Sequence, residues 1–174
     1  MRVTIAAVSI PARVTCEGGV PLNANCIFCR IAAGEAEASF VLRQDDVIAF
    51  LDVAPLVPGH ALVVPRPHYA GLADLPDALG GRMMAAGRQV ALGMRRALAQ
   101  CGGVNFFLAD GAAAGQTVFH CHLHVIPRRR GDGFGVRRPP LAVPSRVDLE
   151  EQAARLRAAC EGEGAPPAGV GDER

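Results

Sequence analysis

Three histidines separated by single residues, in Thr117-Val-Phe-His120-Cys-His122-Leu-His124-Val-Ile-Pro127-Arg128, constrain this chain more than any other stretch. Alternate residues of a β-strand face the same way, whereas on a helix His120 and His122 would point apart. The spacing therefore predicts a strand over Val118–Ile126, ended by Pro127. One face would carry a row of imidazoles, and Phe119, Cys121, Leu123 and Val125 would face the core. Such a row admits three readings: an incidental polar face, a three-histidine catalytic metal site, or an imidazole nucleophile whose neighbours fix its tautomer. Histidine is rare and aligned clusters tend to be functional, so the incidental reading ranks last.

The preceding loop, Asp110-Gly-Ala-Ala-Ala-Gly115-Gln116-Thr117, narrows the choice. Backbone N–H groups of a glycine-containing loop can cradle phosphate oxygens, and Gln116 and Thr117 can add side-chain donors. Fused to the histidine row, this loop favours phosphate chemistry and nucleophilic attack on phosphorus.

The rest of the chain frames that segment. Residues 1–23 read as an extension without periodicity. The apolar run Val3–Ile10 is too short for a good secretion signal and stops at Pro11. A short helix is expected over Cys26–Ala33, ended by Gly34, then a hairpin of Phe40–Leu42 and Val47–Leu51, then a strand at Ala61–Val64. Leu79, Met83, Ala86, Val90, Met94 and Ala97 recur every three or four residues, predicting a long helix over Pro76–Gln100, closed by Gly102-Gly103. Val104–Leu108 reads as a further strand. Arg128–Pro144 is rich in Gly, Pro and Arg and reads as a surface excursion. Its Arg128, Arg129, Arg130, Arg137 and Arg138 suit either a solvated loop or a phosphate or partner contact. Ser145 and Asp148 form a capping-box-like start to a last helix with an apolar face of Leu149, Ala153, Leu156 and Cys160; residues 161–174 read as a disordered tail. Strands mixed with one long and two short helices, without regular βαβ alternation, give an α+β fold.

A formal net charge of +1 gives no global reason to expect a nucleic-acid or membrane surface. No stretch is long enough to span a bilayer, so a cytoplasmic protein is expected. The six cysteines are unevenly spread, and Cys26-x-x-Cys29 suits metal binding better than a disulfide framework. Cys16, Cys101, Cys121 and Cys160 read as inert thiols.

Gly115-Gln-Thr-Val118 followed by His120-x-His122-x-His124-Val-Ile-Pro127-Arg128 resembles the signature of the histidine-triad (HIT) family. Asp46-Val-Ile-Ala-Phe50-Leu-Asp52 and Pro58-Gly-His60 through Pro65-Arg-Pro-His68-Tyr69 resemble its nucleoside-binding region, and Cys26-Ile-Phe-Cys29 its common opening. The resemblance implies a HIT domain over residues 24–130, with a C-terminal loop and helix over 131–160. It implies a five-stranded antiparallel sheet pairing into a homodimer. It implies a nucleotide hydrolase or nucleotidyl transferase acting on a purine nucleotide through a nucleotidyl-histidine.

By the same resemblance His122 is the nucleophile, and His124 and His60 assist with protons near the phosphates. Phe50 packs on the base, Asp52 binds ribose hydroxyls, and Gly115, Gln116 and Thr117 contact phosphate. The zinc-containing bacterial-type branch uses Cys, Cys, His and His at positions matching Cys26, Cys29, His68 and His120. A structural Zn2+ with four protein ligands is therefore expected. Eleven residues before His120, where relatives carry Asn or Gln, this chain has Ala109. A methyl group cannot donate a hydrogen bond, which leaves a nucleotide-binding protein with little turnover, or a specialised biosynthetic transferase or phosphorylase, as the competing readings.

Overall fold

The computed structural model describes residues 23–135 and 143–161. The expectations for Cys16, Arg137, Arg138 and the two terminal segments lie outside the described residues, except that Asn23 and Glu161 are placed. The chain forms two compact units, one running to Arg128 and one from Arg129 onward, and each is described by itself.

The first unit runs α1 (Ile27–Ala33), β1 (Phe40–Arg43), β2 (Val47–Leu51), β3 (Ala61–Pro65), α2 (Asp77–Ala97), β4 (Gly103–Phe107), a 3-10 turn (Ala112–Ala114) and β5 (Leu123–Arg128). The five strands form one sheet in the order β1-β2-β3-β5-β4, every pair antiparallel. The α+β class and the five-stranded antiparallel sheet are as expected.

Strand periodicity divides the core in two. Val47 and Ala49 of β2, Ala61 and Val63 of β3, and Leu123 and Val125 of β5 face α2, meeting Leu79, Met83, Ala86, Val90 and Met94. Each large apolar side chain buried there contributes about 1.5–3 kcal/mol. Ile48, Phe50, Leu62 and Val64 point the other way and pack with Cys26, Phe28, Cys29 and Ile31 of the α1 region. The α2 stripe is the expected one except at Ala97, which is exposed at the helix end. At Gly87 an added Cβ would lie 3.0 Å from Leu123 and 3.4 Å from the Phe106 ring. That glycine weakens helix propensity, but it lets α2 approach the sheet closely.

Three boundaries differ from the sequence reading. The Gly102-Gly103 pair does not close α2: the Leu98 N–H caps it on the Met94 carbonyl, and Gly103 opens β4. Pro127 does not end β5 but lies within it, paired with Val104. The β3 ladder stops at Ala61 opposite Val125, so beyond that point one side of β5 has no β3 partner and tolerates a missing N–H. The strand expected from Val118 begins only at Leu123.

In the second unit, α3 (Arg146–Glu161) starts on the expected cap: Asp148 N–H donates to Ser145 Oγ at 3.2 Å and Ser145 N–H donates to Asp148 Oδ2 at 3.0 Å. Glu161 is its last residue rather than the start of a tail. The expected apolar face is not buried; Leu149 and Leu156 are exposed, and among the described residues this unit has no second helix or strand to cover it. No described helix is long and apolar enough to cross a membrane.

Candidate functional site

Leu123 and Val125 turn toward α2, so His124 emerges on the α1 face of the sheet. His120 and His122 lie before the strand. The chain bends tightly there, with the His120 N–H on the Val118 carbonyl at 2.8 Å and the Cys121 N–H on the Tyr69 carbonyl at 2.6 Å. The three rings consequently do not form one pleated row. His120 turns to the cysteine pair, His124 turns to His60, and His122 sits beside His124 with ring centroids 4.8 Å apart. Nor do they converge as one three-histidine metal site. Cys121 is buried as expected, whereas Phe119 is exposed, because it lies in the bend and not in the ladder.

The cysteine end is compact. His120 Nδ1 lies 3.4 Å from Cys26 Sγ and 3.5 Å from Cys29 Sγ, and His68 Nδ1 lies 3.3 Å from Cys29 Sγ. One ligand atom from each of these four residues falls within 4.8 Å of all the others. This two-thiol, two-imidazole donor set suits a tetrahedral structural metal ion. His120 donates its Nε2–H to the Pro65 carbonyl at 2.8 Å, which leaves the Nδ1 lone pair facing the sulfurs. Burial pushes the Cys29 thiol up to about 11 and holds His120 down to about 4. Without a cation, both groups are held neutral.

The other end is built from His122, His124, His60 and Asp52. His122 donates Nδ1–H to the His120 carbonyl at 2.7 Å, so its Nε2 carries the lone pair. The Leu56 N–H donates to His60 Nδ1 at 3.3 Å. That requires His60 to carry its proton on Nε2, which donates to His124 Nδ1 at 2.9 Å; His124 then keeps an N–H on its remaining nitrogen. Asp52 Oδ2 lies 3.4 Å from His60 Nδ1, where a second proton on His60 would face it. Burial, together with His122 and His60, lowers His124 to about 4. Burial also lowers His60, against the opposing pull of Asp52.

The Gly115–Thr117 segment serves the loop itself as well as facing outward. Gly115 N–H donates to the Ala112 carbonyl and Gln116 N–H to the Gly111 carbonyl. The Gln116 carboxamide is buried and already bonded. It accepts from Gly111 N–H at 2.8 Å and donates to the Ala70 carbonyl at 2.8 Å and the Val118 carbonyl at 3.1 Å. Thr117 is exposed. Ala109 is buried. Phe50 is buried against Phe28 and Phe40, with centroids 5.6 and 6.1 Å away. Arg128 ends β5, and Arg129 and Arg130 are exposed beyond it.

Two residues that the sequence reading gave no role touch this cluster. Phe28, between the cysteines, packs edge-on against His122 with centroids 5.2 Å apart. Phe107, opposite His124 in the β4–β5 register, lies 5.8 Å from that ring. Neither carries a motif signal, since an aromatic residue beside a metal cysteine or on an edge strand reads as packing.

Comparison with known proteins agrees with this geometry. The HIT domain family model matches residues 33–131. An uncharacterized HIT-like protein of Borreliella burgdorferi is 42% identical over 115 residues, covering 66% of this chain and 83% of the relative. The crystal structure of a Zn-bound histidine triad family protein from Mycobacterium smegmatis superposes with a TM-score of 0.62 at 37% identity, covering 78% of this chain and 97% of that one. A histidine triad nucleotide-binding protein from Candida albicans superposes with a TM-score of 0.68 at 28% identity, again over 78% and 97% of the two chains. Spaced histidines at the start of an antiparallel strand beside a cysteine pair, a family model over most of the described residues and solved relatives of the same fold lead to one assignment: this chain belongs to the HIT family.

Proposed function

We propose that this protein is a nucleotide hydrolase or nucleotidyl transferase. Its substrate is a nucleoside phosphoramidate, dinucleoside polyphosphate or similar purine nucleotide, attacked at the α-phosphate by His122. The observation that carries this reading is the His122 Nδ1–H bond to the His120 carbonyl, which leaves Nε2 as the nucleophilic nitrogen. In the first step Nε2 bonds to phosphorus and the leaving group departs, giving a nucleotidyl-histidine. The substrate's phosphate charge draws one extra proton onto the His60–His124 pair, joined by the 2.9 Å bond between them, and His124 passes the proton on its other nitrogen to the leaving group, returning the pair to neutral. Asp52 stands behind His60 to steady the charge that develops as protons move, and it offers a carboxylate oxygen to the ribose. Water, or another acceptor, then attacks phosphorus and frees His122.

The exposed Thr117 side chain holds the phosphoryl oxygens, while the Gly115 and Gln116 amides and the Gln116 side chain, already bonded to the protein, shape the loop. Phe50 backs the base pocket. Cys26, Cys29, His68 and His120 hold a structural Zn2+, a reading that their mutual approach and the zinc-bound relative support. A Zn2+ bound there would supply the positive charge that lets two buried thiolates coexist. Phe106 and Phe107, exposed on the edge strand β4, support pairing of two copies into a homodimer.

The test is mononucleotide release from adenosine phosphoramidate, diadenosine polyphosphates and a nucleoside-diphosphate sugar. Mass spectrometry would look for a nucleotidyl adduct. His122→Ala is expected to lower turnover roughly 10⁴-fold and abolish the adduct. Ala109 favours one competing reading, a zinc-stabilised nucleotide-binding protein. Tight nucleotide binding without release or adduct in the zinc-loaded chain would establish that reading instead.

A further inference from the structure

The geometry points to Phe28 as a positioning residue through which the cysteine–histidine centre holds the ring of His122 in its reactive orientation. This rests on the reading of His122 as the nucleophile. An imidazole on a short bend has two freedoms that matter for in-line attack: rotation about its terminal torsion, and the choice of nitrogen that keeps the proton. The His120 carbonyl settles the second by accepting from Nδ1 at 2.7 Å. That bond restrains only one edge of the ring. The first freedom is limited from one side by the His124 ring, 4.8 Å away, and from the cysteine side by Phe28, whose ring meets His122 at 76° with centroids 5.2 Å apart, an edge-to-face pairing that disfavours rotation.

Both restraints begin at the cysteine end. Phe28 sits between Cys26 and Cys29 on the seven-residue helix α1, too short to be stable alone. His120 is held by its ring, with Nε2 on the Pro65 carbonyl and Nδ1 between the two sulfurs. Anchoring the cysteines therefore places Phe28, and anchoring His120 places the carbonyl that His122 uses. Phe28 also packs edge-on against the His120 ring, centroids 5.9 Å apart, and against Phe50. One aromatic ring thus touches a proposed metal ligand, the proposed nucleophile and the wall of the base pocket.

The experiment uses the full-length, zinc-loaded chain with Phe28→Leu, which keeps apolar volume but removes the flat ring, and Phe28→Tyr, which keeps the ring. Three quantities are read: zinc per chain, the 15N signals of the His122 ring, and kcat separately from KM. In Phe28→Leu zinc content is expected to stay at the wild-type value, while the His122 nitrogen signals broaden as the ring turns and its Nδ1–H intermittently leaves the His120 carbonyl. The expected fall in kcat is roughly tenfold to a hundredfold, with KM within about twofold. Phe28→Tyr is expected to restore the wild-type signals and kcat. Unchanged His122 signals with a raised KM alone would overturn the inference, assigning Phe28 to the nucleoside. Loss of zinc from Phe28→Leu would also overturn it, assigning Phe28 to construction of the centre. A wild-type chain that releases no mononucleotide would sink the proposed reaction, while the ring signals would still decide whether Phe28 orders His122.

Discussion

His120 and His122 are the same residue type two positions apart, yet the backbone engages opposite nitrogens. His120 gives Nε2–H to the Pro65 carbonyl and keeps Nδ1 for the sulfurs. His122 gives Nδ1–H to the His120 carbonyl and keeps Nε2. One end of the cluster is therefore inward-looking, with each donor set on another residue of the set. The other end keeps His122 Nε2 for attack, although His122 and His60 are themselves buried. Imidazole chemistry here follows from which carbonyl lies within reach, because that choice decides whether a ring suits ligation or attack.

The strongest way to break this contrast is to remove a cysteine. Cys29 is almost fully buried and approaches both His68 and His120. Cys29→Ala is expected to abolish stoichiometric metal binding and to destabilise the fold by several kcal/mol, on the order of 4. Urea denaturation with metal analysis checks this. Unaltered stability in a metal-free variant would mean that the four residues are a packing cluster and no more.

Acid should separate the two ends next. In the metal-free protein, His120 and His124 titrate near 4 against an ordinary 6.5. Between those values the unfolded chain binds more protons than the folded one. The contribution of these two histidines to stability therefore rises with pH across that window and is flat above it. For His120 alone the loss from pH 7 to pH 5 is on the order of 2 kcal/mol. The zinc-loaded protein should fall more steeply, because protons also compete for the sulfurs and for Nδ1. Denaturant midpoints at the two pH values, with and without metal, would show it; identical curves would contradict the proposed ligands.

Much of the fold was readable because periodicity reports burial. The short apolar runs Val47–Leu51 and Ala61–Val64, bounded by turn residues, and the three-and-four spacing from Leu79 to Met94 pointed to the sheet and α2 with small boundary errors. The site was readable by residue type, but not by path. Spacing alone made His120, His122 and His124 a strand, since i, i+2, i+4 is indistinguishable from a bend that happens to place rings usefully. The hydrogen bond to Tyr69 that draws the chain out of the ladder at Cys121 joins residues 52 apart in sequence and leaves no local pattern. Phe28 was invisible for the same reason: its contact with His122 exists only after α1 has docked on the sheet. Apolar patterning likewise gave α3 a buried face that its own unit does not cover.

Gln116 offers the smallest and sharpest test, because a sequence match and the geometry assign its side chain different work. As a phosphate donor, its amide would point outward and its removal would weaken substrate binding with little effect on the free protein. In the structure the carboxamide joins three backbone points, Gly111, Ala70 and Val118, and is buried. Gln116→Ala would leave the Gly111 N–H and the Ala70 carbonyl without these partners. The expected loss is about 1–3 kcal/mol of stability in the absence of any nucleotide. Gln116→Glu sharpens the reading: an ionised carboxylate can still accept from Gly111, but it cannot donate to Ala70 or Val118, and burial would penalise its charge. Its destabilisation should therefore match or exceed that of the alanine variant and should shrink as pH falls and the carboxyl takes up a proton. If both variants keep wild-type denaturation curves and show only a raised KM, the side chain turns outward in solution. The loop would then be shaped by its 3-10 turn and glycines alone.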